Sequence, residues 1–146
     1  LDLKGVFFMD NNILVKKLVD YIEIHIEEDL SLDKIAKVLN YSKFYLIRTF
    51  HNETKCTIYQ YIQSRRLTLA AKKLVETKKP ILEIAYEAQY HSQQAFSFAF
   101  HNLYGCTPKV YRKMGIFYPK QSKISMLYSL KKESIVYDLW GGKSAA

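Results

Sequence analysis

The chain is organised around residues 57–77, TIYQYIQSRRLTLAAKKLVET, which contain neither Gly nor Pro and begin at a good N-cap residue, Thr57. At about 1.5 Å rise per residue, this stretch predicts a helix roughly 30 Å long. Its apolar side chains fall on two opposite sides, with Ile58, Tyr61, Ile62 and Leu69 on one and Leu67, Ala70, Ala71 and Leu74 on the other. Because a helix packed on one core shows one stripe, the pattern predicts a linker with a small body at each end.

The N-terminal segment, residues 1–30, is predicted to contain one helix. Asp10 or Asn11 is a candidate N-cap, and the helix is expected to run to about Glu28. Its apolar stripe consists of Leu14, Leu18, Ile22 and Ile26. An acidic cluster at residues 27–29 lies at the negative end of the helix dipole, so we expect the helix to fray there.

Residues 31–56 are predicted to form a helix-turn-helix unit. Ser31 is a candidate N-cap for SLDKIAKVLN, and Ser42 is a candidate N-cap for SKFYLIRTFHNET. Asn40, between the two helices, tolerates the left-handed conformation of a tight turn. Two short helices joined in this way are typical of a helix-turn-helix.

Residues 78–113 predict a second unit of the same kind. Pro80 suits the first turn of the helix PILEIAYEAQ, and Ser92 is a candidate N-cap for SQQAFSFAFHNLY. This second helix is expected to stop at Gly105, where a C-terminal glycine belongs, and a last short helix follows through Lys113.

The two units are copies of one another. An offset of 50 positions relates Ser42 to Ser92, Phe50-His51-Asn52 to Phe100-His101-Asn102, Cys56-Thr57 to Cys106-Thr107, and Tyr61 to Tyr111. An offset of 49 relates Ile35-Ala36 to Ile84-Ala85 and Tyr41 to Tyr90, which requires one inserted residue in the second turn. Self-similarity of this kind is specific, and it predicts two equivalent modules.

Residues 114–146 differ in character from the rest. They are rich in Ser, Tyr and Lys and contain alternating stretches such as ISMLYSL and SIVYDLW. We interpret them as an appendage of uncertain structure, whose aromatic content predicts packing on the body or on a partner. The paired modules are not expected to need them, because both modules are predicted to end by Lys113.

The basic charge is concentrated in the centre of the chain. Residues 1–30 hold 3 Lys and Arg against 7 Asp and Glu, residues 31–113 hold 14 against 5, and residues 114–146 hold 5 against 2. The basic central segment favours a polyanionic partner such as nucleic acid. With 146 residues, of which 49% are hydrophobic, the chain is predicted to fold around a real core.

Enzyme chemistry and bound metals are not indicated. The two cysteines and four histidines show no disulfide or metal-ligand spacing, and no glycine-rich phosphate loop or paired-carboxylate pattern occurs. Cys56 and Cys106 precede predicted caps at equivalent positions, which favours a structural role. Nothing resembles a signal peptide or a run of about 20 apolar residues, so we expect a cytoplasmic protein with no membrane partner and no cofactor.

The strings YSKFYLIRTF, QYIQSRRLT, KPILEIA and SQQAFSFAF resemble the paired helix-turn-helix DNA-binding domain of AraC/XylS-type transcriptional regulators, most closely the MarA/SoxS/Rob group. The resemblance covers residues 31–113. It implies an all-α fold of two homeodomain-like three-helix subdomains joined by a long linker helix. It also implies a monomer on double-stranded DNA that touches RNA polymerase and activates transcription.

Three residues depart from the pattern of this family. Lys55 and Gln89 stand where the family usually has Gly, and they are expected to shift helix ends. Phe98 stands where the family usually has Arg, so the second module lacks a charged base-reading residue. We therefore expect that module to bind DNA more weakly, or through shape.

In the first module, the helix after Ser42 should place Leu46 and Phe50 in the core. The opposite arc holds the candidate base-reading residues, which are Phe44, Ile47 and Arg48, with Tyr45 at its flank. Arg48 suits bidentate contact to guanine O6 and N7, whereas the apolar side chains suit thymine methyl groups. Two alternatives stay open, a local packing cluster for Phe44 and Ile47 and a phosphate contact for Arg48.

In the second module, the helix after Ser92 should bury Phe96 and Phe100. Its candidate base-reading residues are Gln93, Gln94, Ser97 and Phe98. Adjacent glutamines at a helix start suit adenine N6 and N7, and the family resemblance places base contacts at both. The alternatives are a solvated glutamine pair and a Phe98 that belongs to the core.

Residues at helix starts are candidates for phosphate contacts, since backbone N–H groups and the helix dipole favour anions there. They are Ser42, Lys43, Thr57, Ser92, Thr107 and Lys109, together with Asn52 beside the first base-reading arc. Several of them would serve equally as helix caps. The remaining cations, Arg65, Arg66, Lys72, Lys73, Lys78 and Lys79, are predicted to be solvated.

These features predict a sequence-specific DNA-binding transcription regulator. Modules about 30 Å apart match the roughly 34 Å turn of the duplex, so the two recognition helices are expected to enter successive major grooves. Two alternatives are the DNA-binding output domain of a longer effector-responsive regulator and a basic helical protein-interaction module. Competition by unrelated DNA separates the last from a specific binder.

Overall fold

The computed structural model describes the backbone of residues 3–125 and the side chains of residues 11–125. Within that range the chain is all helical, as predicted. The helices are α1 (Leu3–Ile24), α2 (Leu32–Leu39), α3 (Lys43–Thr54), α4 (Ile58–Glu76), α5 (Ile81–Glu87), α6 (Gln93–Tyr104) and α7 (Pro108–Met114).

The linker helix α4 joins two separate hydrophobic cores. The first core is built from α1, α2, α3 and, from α4, Ile58, Tyr61 and Ile62, with Leu69 at its edge. The second core is built from α5, α6, α7 and, from α4, Leu67, Ala70, Ala71 and Leu74. The two opposite stripes predicted along this helix are therefore confirmed. We refer to α1–α3 with the first half of α4 as the first module, and to the rest as the second.

The start of α1 differs from the prediction. The helix begins at Leu3, so neither Asp10 nor Asn11 caps it. Asn11 lies inside the helix instead, where its amide donates to the Glu53 carboxylate at 3.3 Å and accepts from the Tyr45 hydroxyl at 3.4 Å. Its polar group is thus used in a tertiary contact with α3.

The end of α1 also differs from the prediction. The helix stops at Ile24 rather than near Glu28. It ends before the acidic cluster, in agreement with the unfavourable interaction of negative charge with a helix C-terminus. The predicted apolar stripe of Leu14, Leu18, Ile22 and Ile26 is buried throughout.

The turns of the two modules use left-handed residues at equivalent positions. Asn40 and Gln89 follow the first helix of each unit, with φ of 62° and 65°. Lys55 and Gly105 follow α3 and α6, with φ of 62° and 77°. Because both of these helices contain 12 residues, Lys55 does not shift the helix end, and that expectation is wrong. Gln89 also keeps the left-handed turn, but α5 ends at Glu87, one residue before the position equivalent to Leu39 at the end of α2.

Residues 115–125, the strap, return from α7 along α4 without regular secondary structure. Phe117 packs against the second core, and Ile124 is buried in the first. This part of the C-terminal segment therefore packs on the body, and the packed body continues past the boundary predicted at Lys113. The remainder of the segment, residues 126–146, lies outside the described residues.

Candidate nucleic-acid interface

Helix α3 presents one face to the first core and the opposite face to solvent. Leu46 and Phe50 are fully buried, as predicted. Phe44 is 81% exposed, Ile47 is 40% exposed, and Arg48 is exposed beside them. Since four-fifths of Phe44 lies in solvent, the alternative of a local packing cluster does not hold for that side chain. The exposed face combines one guanidinium with two apolar groups.

Tyr45 does not lie on this exposed face. Its side chain is half-buried, its hydroxyl donates to Asn11 of α1 at 3.4 Å, and its ring stacks on Tyr41 with centroids 5.8 Å apart. The Tyr45 ring therefore takes part in the contact between α1 and α3, and base reading by Tyr45 stays a prediction.

Helix α6 has the same two-sided character. Phe96 and Phe100 are fully buried, whereas Phe98 between them is 72% exposed. The alternative in which Phe98 belongs to the core is therefore excluded. The exposed face carries Gln93, Gln94 and Phe98, with Ser97 half-buried at its edge. No cation replaces Arg48 on this face, since Phe98 occupies the equivalent position.

Four of the predicted phosphate residues are N-caps. The hydroxyl oxygens of Ser42, Thr57, Ser92 and Thr107 accept hydrogen bonds from the backbone N–H three residues later, at 3.1, 3.0, 3.1 and 3.2 Å. Each hydroxyl accepts through its oxygen, so its O–H group can still donate a hydrogen bond to an anion at the helix start. The caps lie at the starts of α3, α4, α6 and α7, so the two modules present them at equivalent positions.

The other three phosphate candidates lie at the surface. Lys43 pairs with Asp33 at 3.0 Å, a pair whose carboxylate is exposed and whose strength is correspondingly low. Lys43 can therefore exchange this carboxylate for a phosphate. Asn52 and Lys109 are exposed near the ends of α3 and the start of α7.

Two arginines of α4 are paired with the acidic N-terminal segment, and the prediction that they are solvated is wrong. Arg65 donates twice to the Glu23 carboxylate, at 2.7 and 2.8 Å. Arg66 donates to the backbone carbonyls of Ile26 and Glu28, at 2.9 and 2.7 Å. Both guanidinium groups hold α1 and the following loop on the linker helix.

Lys73 and Lys79 are also paired rather than solvated. Lys73 contacts the carboxylate of Glu27, and it bonds Glu87 of α5 at 2.5 Å. Lys79 bonds the same Glu87 carboxylate at 2.6 Å. Lys73 thereby connects the first module to the second. Lys72 and Lys78 are exposed, as predicted.

The carboxylates of Glu23 and Glu87 are held in their charged form. Burial by itself would raise the pKa of Glu23, but hydrogen bonds from Arg65 and Tyr61 outweigh burial and lower it. Burial, followed by the charge of Glu23, raises the pKa of Tyr61, whose hydroxyl donates to that carboxylate at 2.9 Å. Hydrogen bonds from Lys73 and Lys79 lower the pKa of Glu87.

The contacts of Arg65, Arg66 and Lys73 with the N-terminal segment were missed because the partners lie 38 to 46 residues apart in the sequence. One signal could have found them: the first 30 residues are acidic while the linker is basic, so complementary charge was present on elements expected to be adjacent. The same signal does not show which cations pair and which stay free for DNA.

Neither a metal centre nor a reactive thiol is indicated by the geometry. Within residues 11–125, no group of three or more His, Cys, Asp or Glu side chains is placed to hold a metal ion.

None of the described helices combines the length and apolar character that crossing a membrane requires. Cys56 and Cys106 are free and half-buried at the edges of the two cores, in accord with a packing role.

Two helix-turn-helix units, each with an exposed helix face and capped helix starts, define a paired helix-turn-helix protein of the nucleic-acid-binding class. A family model described as a helix-turn-helix domain matches residues 35–114. The chain is 41% identical over 104 residues to the regulatory protein SoxS of Salmonella typhimurium, covering 71% of this chain and 97% of SoxS.

Solved structures agree with this assignment. The C-terminal domain of AraT, a response regulator from Geobacillus stearothermophilus, superposes with a TM-score of 0.67 at 31% identity, covering 77% of this chain and 94% of that domain. An AraC-type transcriptional regulator from Chromobacterium violaceum also gives 0.67, at 29% identity and covering 70% and 91% of the two chains. The chain belongs to the AraC/XylS family of sequence-specific DNA-binding transcription regulators, a family without enzymatic activity.

Proposed function

We propose that this regulator binds asymmetric DNA sites as a monomer, with α3 and α6 in successive major grooves on one side of the duplex. The observation that supports this proposal is that one chain presents two equivalent helices, each buried on one face and exposed on the other. Because the exposed faces of the two helices differ in sequence, the two half-sites are expected to differ as well.

The length of the linker helix suits this arrangement. Helix α4 contains 19 residues, which corresponds to about 28 Å at 1.5 Å per residue. The repeat of the duplex is roughly 34 Å, so one monomer can span about one turn. A second copy is not required to reach two grooves.

The first module is proposed to read its half-site chiefly through Arg48. A guanidinium can donate two hydrogen bonds to guanine O6 and N7, which is the commonest specific contact in the major groove. Phe44 and Ile47 on the same exposed face offer apolar contact to thymine methyl groups. This half-site should therefore be strictly specified.

The second module is proposed to read its half-site through Gln93 and Gln94, which can each bond adenine N6 and N7. Phe98 offers apolar contact, and Ser97 at the edge of the face can donate or accept. Without a bidentate cation, this half-site should tolerate substitution more readily.

Phosphate contacts are proposed for the hydroxyls and backbone N–H groups at the capped helix starts, with Lys43, Lys109 and Asn52 beside them. Bound in this way, the protein is proposed to act in the cytoplasm as an activator that touches RNA polymerase. The similarity to SoxS along nearly all of that regulator's length supports this part of the proposal.

Selection of bound sites from random duplexes by the purified protein tests the proposal. An asymmetric consensus with two unequal half-sites about one turn apart is the expected result. Arg48→Ala should then weaken binding by roughly 1–3 kcal/mol and relax preference at one base pair of the strict half-site. Lys72→Ala, which removes an exposed cation from α4, serves as the control and should leave the consensus unchanged.

The alternatives give different results. A symmetric consensus would indicate dimeric binding, and an equal loss on every sequence for Arg48→Ala would make that residue a phosphate contact. If unrelated DNA at physiological salt competes as well as the selected site, the protein is a basic interaction module instead, since specific binders exceed non-specific binding by about a thousandfold or more.

A further inference from the structure

The strap begins on aromatic residues of the second module. The backbone N–H of Tyr118 donates to the Tyr111 hydroxyl at 3.2 Å, and the Tyr104 hydroxyl donates to the Tyr118 carbonyl at 3.3 Å. The Lys120 ammonium lies over the rings of Tyr104 and Tyr118, 5.9 and 5.2 Å from their centroids. This end of the strap is therefore fixed to α6 and α7.

The middle of the strap is bonded to the linker helix. The N–H of Gln121 donates to the hydroxyl of Thr68, a buried polar residue, at 3.1 Å. The Gln121 carbonyl accepts from Arg65 at 2.8 Å, and the same guanidinium holds Glu23 of α1. A backbone segment without regular structure thus satisfies its polar groups on α4, at the junction between the two modules.

The end of the strap enters the first module. Ile124 is only 8% exposed and belongs to the first core, and its N–H donates to the Tyr61 hydroxyl at 3.5 Å. Beside it, Lys123 pairs with Asp20 of α1 at 2.8 Å. The strap is consequently anchored in both cores, while the family match ends at residue 114.

The part of α4 between the two cores is less buried than its ends. Along α4 the stretch 63–66, between the residues of the two cores, is only half-buried. A second connection, made by Lys73, Arg66 and Gln89 to residues 26–28, lies on another face of α4. Bending of the helix at the junction would change the separation of α3 and α6.

We propose that the strap is a positioning element, which fixes the separation and orientation of the two recognition helices and so selects DNA sites by half-site spacing. This inference rests on the proposed two-groove binding. One base pair added between half-sites displaces the second by about 3.4 Å and rotates it by about 34°. A rigid pair of modules cannot follow that displacement, whereas modules joined by a bending helix can.

The test compares an Ile→Ala substitution at the anchored end of the strap, made together with one substitution on α4, with an Ile→Ala substitution at an exposed position of the strap. Ile124→Ala, combined with Thr68→Val, removes the anchor in the first core and the acceptor on α4. Ile116→Ala removes the same atoms from a side chain that is 70% exposed, and it is the matched control. Dissociation constants are measured on the selected site and on duplexes with one base pair inserted or removed between the half-sites.

The unmodified protein and Ile116→Ala are expected to bind the duplexes of altered spacing at least about tenfold more weakly than the selected site. The double variant is expected to bind them no more than about threefold more weakly than it binds the selected site. Its binding to the optimal site should also weaken. A double variant that keeps the full spacing penalty, even with a lower melting temperature, would show that the strap stabilises the fold without positioning the modules.

A second measurement needs no DNA. Spin labels at Lys37→Cys in α2 and Glu83→Cys in α5, with both native cysteines replaced by Ser, report the distance between the modules. The distribution should be narrow in the otherwise unmodified protein and in Ile116→Ala, and broader in the double variant. Unchanged distributions overturn the role of the strap. Failure of the unmodified protein to select any DNA site overturns the proposed function instead, so the two failures are distinguishable.

Discussion

Substitution of Phe98 separates two roles that a phenylalanine in a recognition helix can have. Its neighbours Phe96 and Phe100 are fully buried, whereas Phe98 is 72% exposed on the face proposed to meet DNA. Phe98→Ala should therefore change DNA binding far more than folding. Phe96→Ala, made two residues earlier in the same helix, is the matched control.

The magnitudes follow from exposure. Full burial of a Phe side chain contributes about 1.5–3 kcal/mol, so the quarter or so of Phe98 that is covered contributes about 0.4–0.8 kcal/mol. Part of this loss is recovered because Ala has the higher helix propensity, by a few tenths of a kcal/mol. Phe96→Ala removes a fully buried ring, which costs about 3–5 kcal/mol.

Thermal melts and DNA titrations of the two variants give the result directly. Phe98→Ala should lower the melting temperature by no more than about 4 °C, and Phe96→Ala by about 10 °C or more. On the selected site, Phe98→Ala should weaken binding and flatten preference in the second half-site. Phe98→Arg should tighten binding and impose a guanine there, because it restores a bidentate donor at the position equivalent to Arg48.

The reasoning is refuted if Phe98→Ala loses stability on the scale of Phe96→Ala, since the ring would then be part of the core. It is also refuted if Phe98→Arg binds no more tightly than the unmodified protein and gains no base preference, since the exposed face of α6 would then not meet the duplex.

Three further predictions address the backbone, the ion pairs and the charge. Lys55→Gly should stabilise the protein by about 1 kcal/mol and Gly105→Ala should destabilise it by a similar amount, because both positions are left-handed. Urea unfolding measures both changes, and a destabilising Lys55→Gly or a stabilising Gly105→Ala would contradict the argument. The lowered pKa of Glu23 contributes stability that is present above its unfolded value near 4.5 and is lost as pH falls through the folded pKa. The difference in unfolding free energy between the unmodified protein and Glu23→Gln should therefore shrink between pH 7 and pH 3. A difference that stays constant with pH would contradict this prediction. The logarithm of DNA affinity should fall against the logarithm of salt with a slope of about −4 or steeper if five or more phosphates are contacted, and a slope near zero would exclude the proposed binding.

The parts of the fold that the sequence predicted are those with local causes. The two stripes of α4 and the buried faces of α3 and α6 follow from helical periodicity. The caps follow from hydroxyl residues placed immediately before helices. The internal repeat adds a check on each of these predictions, because equivalent positions such as Phe50 and Phe100 are both fully buried.

The parts that differ depend on contacts between distant residues. Tyr45 lies at the flank of its arc, and its hydrogen bond to Asn11, 34 residues earlier, could not be predicted from that position. Asn is a residue type that favours N-caps, but the helix continues through Asn11, whose side chain bonds α3 instead. The strap has no periodicity that a sequence pattern would reveal, and its backbone polar groups bond side chains of α4, α6 and α7.

The same contacts show which basic side chains pair within the protein and which stay exposed. Arg65, Arg66 and Lys73 of α4 are committed to carboxylates and carbonyls of the N-terminal segment and α5. Their charge therefore holds the modules together and cannot all be counted toward phosphate neutralisation. The cation left exposed on a recognition helix is Arg48, and the exposed cations beside the caps include Lys109. Net charge thus identifies a nucleic-acid-binding class. In the proposed binding mode, the difference in base preference between the half-sites follows from the charge at Arg48 and its absence at the equivalent Phe98.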